Sequence, residues 1–143
     1  MKASAFSQAA VVVALGFVLA IGASAKNGRD FAGFYNVSNV VDQGNQVAFT
    51  LRVQVFNHSD ADVKQAVLTL RESPGGELGA FQPVKLWRNH GEVRLTQQFV
   101  VPKHEFERWH KGSQPALMVV YRDAQGQRYD RFVQVSSRPA LPR

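Results

Sequence analysis

The chain has 143 residues, 45% of them hydrophobic, which is enough for one ordinary domain and too few for two. Seventeen basic residues against eleven acidic ones favour acidic partners, but no three basic residues are consecutive, so nucleic-acid binding is not expected. The chain contains no cysteine, which excludes disulfides and a lipid anchor attached through cysteine.

The first 25 residues have the order of a secretory signal peptide. Lys2 precedes an apolar run over residues 9–22, and the small residues Ala23, Ser24 and Ala25 follow it. The run is shorter than the ~20 residues that a membrane-spanning helix needs. We therefore expect cleavage after Ala25, a mature domain over 26–143 without a transmembrane segment, and a periplasmic or secreted location. An uncleaved N-terminal anchor is the alternative.

The mature part is predicted to be all-β because short strands follow one another at even spacing. Residues 73–79, rich in Pro and Gly, are predicted to be a loop, and residues 103–112 one helical turn. Pro83 lacks an N–H, so its strand is expected at a sheet edge. The seven predicted strands span 31–41, 47–55, 62–70, 80–87, 92–101, 115–123 and 127–135.

Alternation of apolar and polar residues predicts which strand faces are buried. The strand over 47–55 shows it over its whole length. The predicted inward residues are Val47, Phe49, Leu51, Val53 and Val55, then Ala66, Leu68 and Leu70, and then Val93, Leu95, Phe99 and Val101. The two strands of the last hairpin are apolar on both faces in places, so their inward residues stay open. Seven strands with a short helical turn before the last hairpin indicate two antiparallel sheets packed face to face.

Two stretches resemble bacterial extracytoplasmic immunoglobulin-like and fibronectin-III-like domains. "VQVFNHSDADV" (53–63) resembles their second strand and the turn after it, and "LMVVYRDAQGQRYDRFVQV" (117–135) is similar to their closing hairpin. The resemblance implies a seven-stranded antiparallel immunoglobulin-like β-sandwich with one short helical turn. This architecture hosts many functions, so it implies none in particular.

The polar turn after the second strand contains the oxygen-bearing residues Asn57, Ser59, Asp60 and Asp62. They could bind calcium, but the full calcium-loop pattern is missing, and the same residue types make tight turns without an ion. We therefore expect a structural role for this turn. The N-x-[ST] sequences at Asn36 and Asn57 are interpreted as chance matches to a glycosylation site.

Two histidines and a glutamate in the predicted helical turn are candidate zinc ligands. His104, Glu107 and His110 could share one face. The alternative, that Phe106 and Trp109 bury this turn against the domain, also explains the aromatic residues and is preferred. Because nucleophile and phosphate-binding motifs are missing as well, we expect neither an enzyme nor a bound cofactor or metal.

A basic and aromatic set around Phe106 is the best candidate for a partner-binding surface. It consists of Trp87, Arg88, Arg94, Lys103, Arg108, Trp109 and Lys111. Trp and Arg are enriched at interfaces, although such a set also arises where charged side chains cover buried aromatics. The sequence thus predicts an exported, non-enzymatic protein-binding or structural module of the cell envelope. Its partner would be another envelope or secreted protein, bound at a sheet edge or through the Trp87 and Trp109 end. The alternative partner is an anionic polymer or glycan.

Overall fold

A computed structural model describes residues 30–72 and 75–138. The predicted signal peptide and the last five residues lie outside this part of the chain. Within it the protein is mostly β, as predicted, with one short helix. The elements are β1 (Phe31–Asp42), β2 (Gln46–Asn57), β3 (Val63–Arg71), β4 (Glu77–Ala80), β5 (Val84–Trp87), β6 (Glu92–Pro102), α1 (Lys103–Arg108), β7 (Ala116–Arg122) and β8 (Arg128–Ser137). None of the described helices has the length and apolar character to cross a membrane.

The strands form one continuous hydrogen-bonded path in the order β4-β3-β7-β8-β1-β2-β6, with β5 also paired to β3. Neighbours are antiparallel except β1 and β8, which run parallel. Because β1 pairs with β2 on one side and with β8 on the other, all these strands belong to one sheet, and the two ends of the path approach each other where Gly79 of β4 meets the Phe99 ring of β6. The sheet is therefore a near-barrel. Two separate sheets, as expected from the sequence, are therefore not clearly distinguished.

The segment after β3 differs from its prediction. Residues 77–79, predicted as the end of a loop, belong to the strand β4, and the single strand expected over 80–87 is divided between β4 and β5. Pro83 lies in the break, where its missing N–H interrupts the ladder to β3. The expected edge position is confirmed, because β4 and β5 pair only with β3 among the described strands.

The inward residues of β2 confirm the period-two pattern. Val47, Phe49, Leu51, Val53 and Val55 are all buried, and full burial of such a side chain contributes about 1.5–3 kcal/mol. The inward residues of β3 are buried too, as are Phe99 and Val101 of β6, whereas Val93 and Leu95 are partly buried against the core.

Gln54 departs from the pattern, because it lies on the predicted polar face of β2 and is only 6% exposed. Its cross-strand neighbours are Phe34 and Arg94. Its side-chain amide donates to Glu92 Oε2 over 2.5 Å. Cross-strand side chains therefore cover this position, which the alternation along one strand does not reveal.

The helical turn predicted over 103–112 is confirmed as α1 and the turn that follows it. Phe106 and Trp109 are buried, with ring centroids 5.2 and 5.4 Å from that of Phe49. These contacts agree with the prediction that the turn covers one end of the core.

Candidate functional site

The seven residues of the predicted basic and aromatic set lie in two groups at opposite ends of β2. Trp87 pairs with Val63, beside the end of β2 at Asn57, whereas Trp109 packs on Phe49 near the start of β2. Asn57 follows Phe49 by eight residue steps along the strand, which corresponds to roughly 26 Å. Trp87, Arg88 and Arg94 belong to the first end. Lys103, Arg108, Trp109 and Lys111 belong to the second.

Both tryptophans of the set are core residues. Trp87 is 1% exposed, its ring centroid lies 5.0 Å from that of Phe31, and its Nε1 donates to the carbonyl of Gly91 over 3.1 Å. Trp109 is 7% exposed and donates to Glu105 Oε2 over 3.3 Å. Because both rings are buried, a ligand at the surface could not contact them. Their burial agrees with the alternative interpretation of this set, in which charged side chains cover buried aromatic residues.

Three basic residues of the set have acidic partners in the same chain. Lys103 lies 2.7 Å from Asp42, and the shared hydrogen bond raises the pKa of Lys103 and lowers that of Asp42. Arg94 lies 3.2 Å from Glu92. The partner of Arg108 is the buried carboxylate of Glu105, also at 3.2 Å. The other two basic residues of the set, Arg88 and Lys111, are exposed at opposite ends of the domain.

The candidate zinc ligands do not converge. His104 Nε2 lies 3.4 Å from Glu72, and His110 Nδ1 lies 3.3 Å from the carbonyl of Phe106. In residues 30–72 and 75–138, no three His, Cys, Asp or Glu residues are grouped so that they could hold a metal ion. Glu107 is exposed.

The polar turn after β2 is built around the buried side chain of Asn57. Its Nδ2 donates to the carbonyls of Ala61, Trp87 and Arg88 over 3.0–3.2 Å. Its Oδ1 accepts from the backbone N–H of Ser59 over 2.9 Å and from the Ser59 hydroxyl over 2.6 Å. Asn57 is 0% exposed, so its amide is inaccessible to a glycosyl donor in the folded chain. The turn therefore supplies geometry, as its residue types predicted.

An open cleft of about 980 Å³, which the sequence analysis did not find, lies between the start of β3, the polar turn before it and the hairpin of β7 and β8. It forms because β3 pairs with β7 only from Val67 onward, while its first residues pair with β5 instead. Gln65, with φ of 52°, marks the change of partner. Positive φ at a non-glycine residue is uncommon and leaves no reliable trace in the sequence.

The polar groups of the cleft are mostly engaged in holding its own turns. Asp123 accepts from the N–H groups of Gln125 and Gln127, both at 2.9 Å, and from the Tyr129 hydroxyl at 3.1 Å. These bonds, the one from Gln127 first, lower the pKa of Asp123. Arg122 donates to the carbonyl of Gly126 over 2.8 Å. The cleft is therefore chiefly a consequence of turn architecture.

The edge strand β6 presents a different kind of surface, made of backbone groups. It pairs with β2 over eleven consecutive residue pairs without a bulge. At the two ends of this pairing, the N–H of Asn57 donates to the carbonyl of Gly91, and the N–H of Lys103 donates to the carbonyl of Asn45. The odd-numbered residues along β6 therefore direct their N–H and C=O groups toward β2. Since the direction alternates along a strand, the even-numbered residues direct their N–H and C=O groups away from β2. These are Glu92, Arg94, Thr96, Gln98 and Val100.

No described strand continues the ladder on the outer side of β6. Apart from β2, the strand that approaches β6 is β4: an added Cβ on Gly79 of β4 would lie 2.8 Å from the ring of Phe99 in β6. With four residues, β4 is too short to cover the eleven of β6. A long, regular edge without proline or bulge before Pro102 is an open template for another strand.

Comparison with known proteins adds no family. No protein-family model matches the chain, and no curated protein matches it. Among solved structures, the chain is similar to a GH20 exo-β-N-acetylglucosaminidase from Vibrio harveyi, bound to N-acetylglucosamine and as an inactive mutant. In both cases the identity is 16%, the TM-score is 0.41, and the match covers 80% of this chain and 19% of the enzyme.

A third similar structure is Northeast Structural Genomics Consortium target SoR45, with 8% identity and a TM-score of 0.41. That match covers 75% of this chain and 84% of the target. The chain spans about a fifth of the length of the glycosidase it matches. Similarities at this level carry no argument about function.

Proposed function

We propose that this chain is an exported, non-enzymatic protein-binding or structural module of the cell envelope that acquires its partner by strand addition at the β6 edge. The partner is an extended segment of another envelope or secreted protein. In strand addition the backbone hydrogen bonds supply affinity, and the alternating side chains supply specificity.

The observation that carries this proposal is the direction of the β6 backbone. Five residues of one regular strand direct their N–H and C=O groups away from β2. An added strand would form hydrogen bonds with these groups in the same pattern that β2 forms on the other side of β6. The first four of these five residues have polar side chains, and the fifth, Val100, is apolar and 48% exposed. A partner strand with polar residues opposite the first four and an apolar residue opposite Val100 fits this row.

The strand order supports the finer assignment of an immunoglobulin-like sandwich. The three neighbours β3, β7 and β8 would form one layer and β2 and β6 the other, with β1 dividing its pairing between them. In that arrangement β6 is the outer strand of its layer, which is where strand addition requires it to be. The signal-peptide pattern of residues 1–25 supports export, and cleavage after Ala25 would give a mature chain that begins at Lys26.

A proline at an outward position tests the proposal. Thr96→Pro removes an N–H that points away from β2, so the existing ladder keeps its hydrogen bonds and the domain should fold. The full chain, with a C-terminal tag, is crosslinked in its native envelope, and captured proteins are compared by mass spectrometry. We expect one protein to be captured by the wild type and reduced about tenfold or more by Thr96→Pro, because a ladder bond is lost and the ring obstructs the approach.

Thr96→Ala is the matched control, because it removes the same side chain and keeps the N–H. It should retain the captured protein. Equal capture by the proline and alanine variants would contradict strand addition at β6. Recovery with polymer alone, or release of the uncrosslinked protein from the envelope by moderate salt, would instead indicate the anionic ligand, since ion pairs are screened by salt and backbone hydrogen bonds are not. The mass of the recovered chain also reports whether it begins at Lys26.

A further inference from the structure

The outer face of the sheet carries a regular patch where β8, β1, β2 and β6 lie side by side. Strand pairing places Gln134, Ala32, Phe56 and Glu92 in a first row, and Ser136, Phe34, Gln54 and Arg94 in a second. The third row contains Arg138, Asn36, Arg52 and Thr96. The three rows cover about 13 Å along the strands, and the four strands cover about 14 Å across them. We call these residues the outer patch.

The first two rows enclose a hollow of about 480 Å³. It forms because the small side chain of Ala32 lies between Phe56 on β2 and Gln134 on β8, which are both larger. The hollow is also lined by Phe34, His58 and Ser136. Aromatic side chains combined with a few polar groups are the lining typical of sites that bind small ring-shaped molecules. The hollow is therefore a candidate site for one ring of a ligand.

Positive charge is in excess beside this hollow. Arg52, Arg94 and Arg138 are the cations of the outer patch, and Glu92, which lies 3.2 Å from Arg94, is its acidic residue. Arg52 and Arg138 form no ion pair with another residue of the described chain. The Cζ atom of Arg138 lies 4.6 Å from the centre of the Phe34 ring, which holds this cation at the border of the hollow. An anion that reaches the third row would meet two guanidinium groups without a described acidic partner.

We propose that the outer patch binds an anionic polysaccharide, with one sugar ring in the hollow and acidic groups at Arg138 and Arg52. A sugar ring has an apolar face, which packs against aromatic side chains, and hydroxyl groups, which bond to the polar groups of Gln134 and Ser136. Arg binds a carboxylate through two parallel hydrogen bonds. The distance of about 13 Å between the first and third rows exceeds one sugar ring, so the ligand is a chain of sugars.

This inference goes beyond the proposed function, because it uses the face of the sheet and not the backbone edge of β6. It also differs from the anionic-ligand alternative of the sequence analysis. That alternative relied on Trp87 and Trp109, which are both buried. The outer patch was not foreseen because its rows join residues from four strands, which are neighbours only through their register.

Binding of fluorescently labelled polygalacturonate to the purified full chain, followed by fluorescence anisotropy at about 0.15 M salt, tests the charge requirement. The double variant Arg52→Gln with Arg138→Gln removes two cations and keeps long polar side chains. We expect it to bind about tenfold more weakly or worse, because charge-assisted hydrogen bonds are lost. The matched control is Lys85→Gln with Lys111→Gln, which removes the same charge at exposed positions outside the outer patch. It should bind within about twofold of the wild type, because distant charges are screened.

Ala32→Leu tests the hollow without changing the charge. The larger side chain fills the space between Phe56 and Gln134, so we expect roughly tenfold weaker binding of the same polymer. Urea unfolding of this variant shows whether the domain is folded in the binding assay. If it is not folded, Gln134→Ala, which removes an exposed amide from the wall of the hollow, replaces it and should also weaken binding.

Three results would overturn the inference. They are no binding of polygalacturonate by the wild type, equal binding by the arginine double variant and the lysine control, and equally tight binding of polyglutamate, which would indicate an acidic peptide. If one of these is found while Thr96→Pro still reduces the capture of another protein, the polysaccharide site is wrong and the proposed function stands. If the polymer binds as expected and Thr96→Pro has no effect on capture, the reverse holds.

Discussion

Replacing Gly33 by alanine is expected to destabilise the domain by at least about 4 kcal/mol, a large part of the 5–15 kcal/mol that a domain of this size has. A Cβ on Gly33 would overlap the carbonyl oxygen of Gln54 and lie 2.8 Å from the Cα of Val55. Both are backbone atoms of β2, and Gly33 is paired with Val55. The methyl group therefore forces β1 away from β2 and breaks ladder hydrogen bonds on both sides of the contact.

Two other glycines provide a graded control for Gly33→Ala. A Cβ on Gly79 would meet only the Phe99 ring, at 2.8 Å, and a ring can shift, so Gly79→Ala should cost about 1–3 kcal/mol. A Cβ on Gly76 would have no atom within 4 Å, so Gly76→Ala should change the stability by less than about 0.5 kcal/mol. Urea unfolding of the three variants measures the series. A Gly33→Ala protein as stable as Gly76→Ala would show that β1 does not approach β2 as described.

Asn57→Ala is expected to cost about 3 kcal/mol, because it leaves several buried groups without partners. The change removes the donor to the carbonyls of Ala61, Trp87 and Arg88, and the acceptor for the N–H and hydroxyl of Ser59. These bonds hold the β2–β3 turn against the end of β5. Urea unfolding measures the loss, with the exposed Asp60→Ala of the same turn as control.

Asn57→Asp separates hydrogen bonding from size. The carboxylate has nearly the volume of the amide, but it cannot donate and would face three carbonyl oxygens. We therefore expect Asn57→Asp at neutral pH to be at least as destabilised as Asn57→Ala, and to recover part of the loss in acid, where a protonated carboxyl can donate one bond. An Asn57→Asp protein as stable as wild type at neutral pH would contradict the described network.

Features determined by local sequence were predictable here. The alternation from Val47 to Val55 identified the buried face of β2 because side-chain direction along a strand has a fixed period. The spacing of Phe106 and Trp109 identified the buried side of α1 for the same kind of reason. Asn57 was assigned to turn geometry from its residue type, although its complete burial could not be foreseen.

Features determined by strand pairing were not predictable. Trp87 and Trp109 were placed in one surface set because each has basic neighbours in sequence, but the ladder between β3 and β5 and the contact with Phe49 put them at opposite ends of the domain. The cleft depends on β3 exchanging β7 for β5. The open backbone of β6 depends on which odd or even residues bond to β2. Each of these features depends on which strand pairs with which, and a single sequence does not show that.

Amide hydrogen exchange along β6, measured by NMR on the dilute purified protein, is the most direct test of the open edge. The account predicts an alternation of protection. The N–H groups of Leu95 and Gln97 point to β2 and should exchange slowly, whereas those of Thr96 and Gln98 point outward and should exchange rapidly. Slow exchange at all four positions would show that the outer edge is already covered, and would contradict strand addition at β6.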